Sequence, residues 1–392
     1  MVRSWVPRHL VVLVATLAIA ASASTANAQD KLDRALRDGK NSGQSLRVIV
    51  KAKPGYEAWA RQLLQQSGTH IDAELPSINA LAVELSGGQL DLCKSSVVES
   101  CSEDTYVSPS QFAASFAARS RRQTATAESF DGAKISEPSI NTLLGTLGLT
   151  PSASFGYGAT VALIDSGIYP SSAFDGRIKA FYDFTGGTTI AKYPFDDYGH
   201  GTHVAGIIAG TGYDSNGKHK GIAPGAKLIG LKVMDRYGRG YMGDVIAAID
   251  YAISVKGTYN IRVINLSVAA GVFESYWLDP LTLATKRAVD NGIVVVASAG
   301  NLGQNALGQE QTGAITSPGN APWVLTVGAS SEEASSKRSN DTVAKFSSVG
   351  PTWIDFQAKP DLVAPGVGIE SLTDSHTTLY QTVPSMLLSG SI

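Results

Sequence analysis

Val161-Ala162-Leu163-Ile164-Asp165-Ser166-Gly167 is the stretch that decides the fold: an apolar run that ends abruptly in a carboxylate, a hydroxyl and a glycine. A near-continuous apolar run suits a strand buried on both faces of a parallel sheet, and such sheets gather their functional groups at the strands' carboxyl ends. Similar runs recur at Lys227 to Val233, Arg262 to Ser267, Ile293 to Ser298 and Trp323 to Val327. Helical spacing separates them, over Thr202 to Ala209, Gly243 to Lys256 and Pro280 to Asp290. The alternation predicts a doubly wound α/β domain with a largely parallel sheet flanked by helices.

Three strand ends carry chemistry-bearing side chains. Asp165 sits where it can orient another group, although an Asp ending a strand also serves as a plain turn or cap residue. Asp197-Tyr198-Gly199-His200-Gly201-Thr202-His203-Val204-Ala205-Gly206 opens a helix of small residues that can lie close to the sheet. That helix would bring His200 near Asp165. An imidazole held through Nδ1 by a buried carboxylate presents Nε2 as a general base. The competing reading is metal ligation by His200, His203 and Asp165, which helical two-histidine sites more often achieve at four-residue spacing with an intervening Glu. On the first reading His203 makes a structural hydrogen bond. Val294-Val295-Val296-Ala297-Ser298-Ala299-Gly300-Asn301 ends a third strand on an amide. Such an amide can donate to a developing oxyanion, a contribution of roughly 3 to 4 kcal/mol. A turn-forming Asn would look the same in isolation.

These three segments, in this order, strongly resemble the subtilisin-like serine peptidases (subtilases), from about Gly158 onward. The resemblance implies a subtilisin-like fold and makes Asp165 and His200 the acid and base of a triad, with Asn301 the oxyanion donor. Ile264-Asn265-Leu266-Ser267 resembles the family's strand beside the primary specificity pocket, and Tyr237-Gly238-Arg239-Gly240-Tyr241 the edge that pairs with extended substrate. Substrate-binding residues are therefore expected at Gly238, Gly240, Ser267, Val268 and Ala269. Val268-Ala269-Ala270 departs from the Leu-Gly-Gly common in the family, which leaves the pocket's shape open. Lys359-Pro360-Asp361-Leu362-Val363-Ala364-Pro365-Gly366 also matches. A nucleotide-binding α/β protein is disfavoured, because the first strand lacks a Gly-x-Gly-x-x-Gly turn.

Upstream, Leu46 to Val50 and Ala80 to Leu85 read as strands, Tyr56 to Gln66 and Gln89 to Lys94 as helices, and Val97 to Ser100 as a further strand. A β-α-β-β-α-β arrangement of this size is a small ferredoxin-like α+β domain, expected over 46–109. It resembles the family's propeptide, which implies an intramolecular inhibitor. Residues 29–45 are polar and read as a disordered lead-in. Residues 110–139 turn to Ala, Ser, Thr and Gln around Arg119, Arg121 and Arg122, as an exposed linker with a possible processing site would. The peptidase domain is expected over 140–392.

Basic Arg3 and Arg8, an apolar run from Leu10 to Ala21 and Ala26-Asn27-Ala28 form the pattern of a signal peptide over 1–28. The apolar run is short for a spanning helix, which argues against a stable membrane anchor. The expected location is secreted or periplasmic. There an exported pair, Cys93 and Cys101, could form a disulfide or remain as two buried thiols. With 43% hydrophobic and 17% charged residues among 392, a net charge of −2 and a pI near 6.3, nothing draws the chain to nucleic acid. No cofactor is expected for catalysis, no metal ligands can be assigned, and a structural calcium is left open.

The family's nucleophile lies in a Gly-Thr-Ser-Met-Ala-like segment opening a buried helix. Here Ser389-Gly390-Ser391 aligns with the residues before it and Ile392 falls on its position. The expectation is a serine endopeptidase preproenzyme truncated at the catalytic serine and, as written, unable to turn over peptide. The alternative is a non-catalytic remnant that binds or inhibits proteases.

Overall fold

The computed structural model describes residues 31–39, 44–109, 140–150, 155–187, 189–305, 307–331, 337–384 and 387. The segments read as a signal peptide (1–28) and a linker (110–139), and Ser389 to Ile392, lie outside the described residues.

The N-terminal region begins with helix α1 (Arg34–Gly39) and continues through β1 (Leu46–Ala52), α2 (Glu57–Gln66), β2 (Ile71–Leu75), β3 (Ala80–Leu85) and β4 (Val98–Glu103). Its strands form one antiparallel sheet in the order β2-β3-β1-β4. Alternation along β1 assigns its sides: Val48 and Val50 pack with Leu64, Leu85 and Leu90, whereas Ile49 joins a core shared with the larger domain. Gln89–Lys94 forms a 3-10 helix carrying Cys93, which is joined by a disulfide to Cys101 on β4.

Part of the lead-in departs from the sequence reading. Leu32 bridges to Cys101, α1 follows, Leu36 is wholly buried, and the Asp33 carboxylate accepts the Leu36 and Glu103 amides at 2.7 and 2.6 Å. Leucines at i and i+4 give one apolar side. That side suffices to dock a single turn on a neighbour, although it is too little to mark a helix against a charged background.

The larger domain contains helix α3 (Ile140–Thr146) and strands β6 (Thr160–Asp165), β7 (Ile178–Asp183) and β8 (Ile190–Ala191), with α4 (His200–Ala209) and β9 (Lys227–Lys232) next. After them come β10 (Gly240–Tyr241), α5 (Met242–Ser254), α6 (Lys256–Tyr259), β11 (Ile261–Leu266), β12 (Val268–Ala269), α7 (Pro280–Asp290) and β13 (Val294–Ser298). Last are β14 (Leu325–Ser331), β15 (Thr342–Val343), β16 (Leu362–Pro365) and α8 (Thr378–Thr382). The main sheet runs β15-β14-β13-β11-β6-β9-β7-β8, with β16 beside β14. The pairs β14–β13, β13–β11, β11–β6, β6–β9, β9–β7 and β14–β16 are parallel. This is the expected α/β architecture, a largely parallel sheet flanked by helices, joined to an N-terminal α+β region. Strand β6, carrying Asp165, sits at its centre and is buried throughout.

One face of the sheet is covered by α5 and α7, whose Ile246, Ile249, Leu281 and Ala284 share a core with Ile264, Val295 and the N-terminal region's Ile49 and Leu75. The other face is less covered than its apolar runs led one to expect. Val294, Leu325 and Leu362 are exposed there, because on that face α4 packs over β6 and β9, while α7 reaches β13 from the opposite face. A further strand, β5 (Tyr106–Pro109), leaves the N-terminal region and enters the larger domain between β10 and β12.

Candidate active site

Burial of β6 delivers Asp165 to the sheet's carboxyl edge with no exposed surface. Helix α4 opposes it because its first turn is glycine-lined. A Cβ on Gly201 would stand 2.1 Å from the Gly167 carbonyl oxygen, so no larger residue permits this approach. His200, the first residue of α4, places Nδ1 2.8 and 3.0 Å from the Asp165 carboxylate oxygens. Burial pushes the imidazole's pKa down, but the charge and hydrogen bond of Asp165 together outweigh it, with Asp196 adding, so it lies above its ordinary value. His203 behaves oppositely. Burial, followed by the neighbouring His200, lowers its pKa to about 4. Neutral at pH 7, it donates from Nε2 to the Ile369 carbonyl at 3.2 Å. This is the structural hydrogen bond expected of it.

Asn301 follows a turn held on both sides. Ser348 N donates to Gly300 O at 2.9 Å, Leu302 N donates to Ser348 Oγ at 3.0 Å, and Thr316 N donates to Ala299 O. The half-buried Asn301 amide makes no hydrogen bond among the described residues, which leaves its donors available.

Three of the residues expected to bind substrate, Gly240, Val268 and Ala269, form the walls of one groove. Gly240 pairs with Val107, and Val268 and Ala269 pair with Pro109 and Ser108, so β5 lies as the middle strand of three, antiparallel to both walls. Val107 is wholly buried. Ser267 precedes this wall and accepts a hydrogen bond from Asn265 Nδ2 at 2.9 Å. Gly238 does not pair with β5; it adopts φ +70°, and a Cβ there would lie 2.5 Å from the Tyr198 ring. Above the groove, Tyr106 and Tyr241 stack with their hydroxyls 2.8 Å apart and Arg47 lies 3.9 Å over the Tyr241 ring.

A buried carboxylate–imidazole pair at the carboxyl edge of a parallel sheet can move a proton, and β5 is an extended segment held between β10 and β12. Residues 156–390 match the Subtilase family (peptidase S8), and the chain belongs to that family. Over 231 residues it is 41% identical to serine protease AprX of Bacillus subtilis (strain 168), covering 57% of this chain and 49% of that protein. It thus spans about half the length of the curated relatives it matches. Among solved structures, sphericase is 26% identical with a TM-score of 0.51, over 61% of this chain and 76% of its own. Fervidolysin from Fervidobacterium pennivorans, a keratinolytic enzyme related to subtilisin, is similar over 84% of this chain and 48% of its own, with a TM-score of 0.57. At 20% identity that likeness concerns the fold.

Sequence reasoning missed the groups that hold the site in register. Asp196 Oδ1 accepts the Ser166 hydroxyl and the Gly199 amide at 2.9 and 2.8 Å, while Oδ2 accepts the Thr202 amide and hydroxyl at 2.9 and 2.7 Å. The signal was faint, since an acid two residues before Tyr198-Gly199 reads as an ordinary turn residue. Lys232 was the other omission; its signal was a charge closing the apolar run Leu228 to Leu231 of β9.

Proposed function

We propose that this chain is the precursor of a serine endopeptidase, secreted or periplasmic, that cleaves polypeptides by acyl transfer. Residues 1–28 direct export, the 46–109 domain inhibits the enzyme in cis, and the 110–139 linker carries the processing site. The observation that supports this reading most is the buried Asp165–His200 pair beside a groove filled by β5, the chain's own extended strand.

Asp165 accepts a hydrogen bond from Nδ1–H and so fixes the tautomer whose Nε2 lone pair is free. The nucleophile is the serine of the complete form, which the family places where this sequence has Ile392. As its oxygen bonds to the substrate carbonyl carbon, Nε2 takes the hydroxyl proton. The carbonyl oxygen gains the negative charge, which the Asn301 amide stabilises by donation. The imidazolium then protonates the amide nitrogen as the carbon–nitrogen bond breaks. Water repeats the sequence to release the acid. The Asp165 carboxylate keeps the imidazolium stable, which accords with a raised His200 pKa.

The test is to express the gene's full reading frame, through and beyond codon 392, and incubate the product with casein. Peptide release that His200→Ala abolishes is expected. A reading frame that supplies the serine yet yields a folded, inert protein overturns the proposal. Inhibition of other subtilases by residues 29–109, with no hydrolysis by the chain, would favour the protease-binding alternative instead.

A further inference from the structure

Lys232 closes β9 with 2% of its surface exposed, and its ammonium has three oxygen partners: Ser166 O at 2.6 Å, Met234 O at 2.6 Å and Asp197 Oδ1 at 2.7 Å. An ammonium has three donors, so its capacity is filled. The partners are not random neighbours. Ser166 directly follows Asp165, Asp197 lies in the turn that enters α4 at His200, and Met234 lies just past the end of β9.

We propose that Lys232 is a positioning residue for the Asp165–His200 pair, a buried cation that locks the end of β6 to the turn before α4. Desolvating an ammonium costs several kcal/mol, and an aliphatic residue would fill the space without that cost, so packing alone does not explain a lysine here. What a lysine adds is a three-way tie. Asp196 links Ser166 to the first turn of α4 through shorter-reaching bonds, whereas Lys232 also anchors that junction to the neighbouring strand. The Nδ1–carboxylate contact depends on two segments 35 residues apart keeping register, and misplacement by about 1 Å costs on the order of 10²-fold in rate.

The inference rests on Asp165–His200 being the proton-transfer pair, so its test reads that pair directly and needs no proteolysis. In the full chain with ¹⁵N-labelled histidine, NMR reports the His200 Nδ1–H resonance, its solvent exchange and the ring's titration. Lys232→Met should fold, yet exchange that proton about tenfold faster or more, with a displaced titration midpoint; Lys232→Arg should recover part of the protection. Asp197→Ala, which removes a half-exposed partner and spares the core, should give a smaller change of the same sign. A folded Lys232→Met with unchanged exchange and titration overturns the proposal. If that variant does not fold, unchanged His200 signals in Asp197→Ala overturn it.

Discussion

Asp104 Oδ1 accepts the Gly243 amide at 2.7 Å, so a carboxylate of the N-terminal region caps helix α5 of the larger domain. Its other oxygen accepts Arg47 Nε and Nη2 at 3.0 and 2.9 Å, and the side chain is fully buried. Negative charge at a helix N-terminus is favourable, and although burial holds the Asp104 pKa above its ordinary value, Arg47 and the Gly243 amide offset part of that cost. Asp104→Ala would take the guanidinium's closest carboxylate, leaving it Asp72 at 3.5 Å and the Tyr241 ring, and orphan an amide. Docking of β1–β4 should weaken by about 3 kcal/mol. Hydrogen exchange across β1–β4 should rise, and unchanged exchange would show that the cap contributes nothing.

The same interface is loaded with carboxylates. Asp244 is pushed up to about 7 by burial and then by Asp104, against the opposing pull of Arg47 and the Gly186 and Gly187 amides. Glu274, which accepts the Ser102 hydroxyl at 2.7 Å, is pushed up to about 8 by burial and then by Asp279 and Asp33, against Lys51. Undocking would return both towards ordinary carboxylate values of about 4, so the docked form holds more protons. Their contribution is fully present below about pH 4 and is lost as pH rises through about 7 to 8. Exchange protection of β1–β4, corrected for intrinsic rates, should be greater at about pH 5 than at about pH 9. Asp244→Asn with Glu274→Gln should flatten the difference. Protection that holds or grows with pH would count against this account.

Legibility in the sequence followed how local each cause was. Strands β6, β9, β11 and β13 and helix α7 announce themselves by runs and periods, and Asp165, His200 and Asn301 stand at the ends or starts of such elements. Strand β5 does not. Its 4 residues become a strand only by pairing with β10 and β12, more than a hundred residues downstream. Strand β7 mixes Lys179 with Ile178 and Phe181, because its edge-side neighbour, β8, spans only 2 residues. Lys232 and Asp196 gain meaning only once β6, β9 and α4 converge. The disulfide, too, needed the turn that brings Cys93 back to β4.

Removing the charge of Asp165 should reverse the sign of the His200 shift. Burial acts to lower the imidazole's pKa and the Asp165 charge acts to raise it. In Asp165→Asn only the lowering influence of burial and the weaker pull of Asp196 remain, so the His200 midpoint should fall below that of the unaltered chain in an NMR titration. An unmoved midpoint would mean that another group holds the proton. In a product carrying the serine, the same change should cut kcat by about 10⁴-fold.

The direction of β5 bears on where the precursor is cut. It runs antiparallel to β12, passing Ala269 at Ser108 and Val268 at Pro109, and so heads towards Ser267 and the carboxyl end of β11. That end lies between β6, which delivers Asp165, and β13, which leads to Asn301. Cleavage in cis is therefore predicted at the first peptide bonds beyond Pro109, before Arg119, Arg121 and Arg122, around which the sequence placed the exposed linker. N-terminal sequencing of the processed protein should find a new terminus within a few residues of Pro109, and His200→Ala should leave the precursor intact. A single terminus beyond Arg122, formed equally in His200→Ala, would instead assign the cut to another protease acting on the linker.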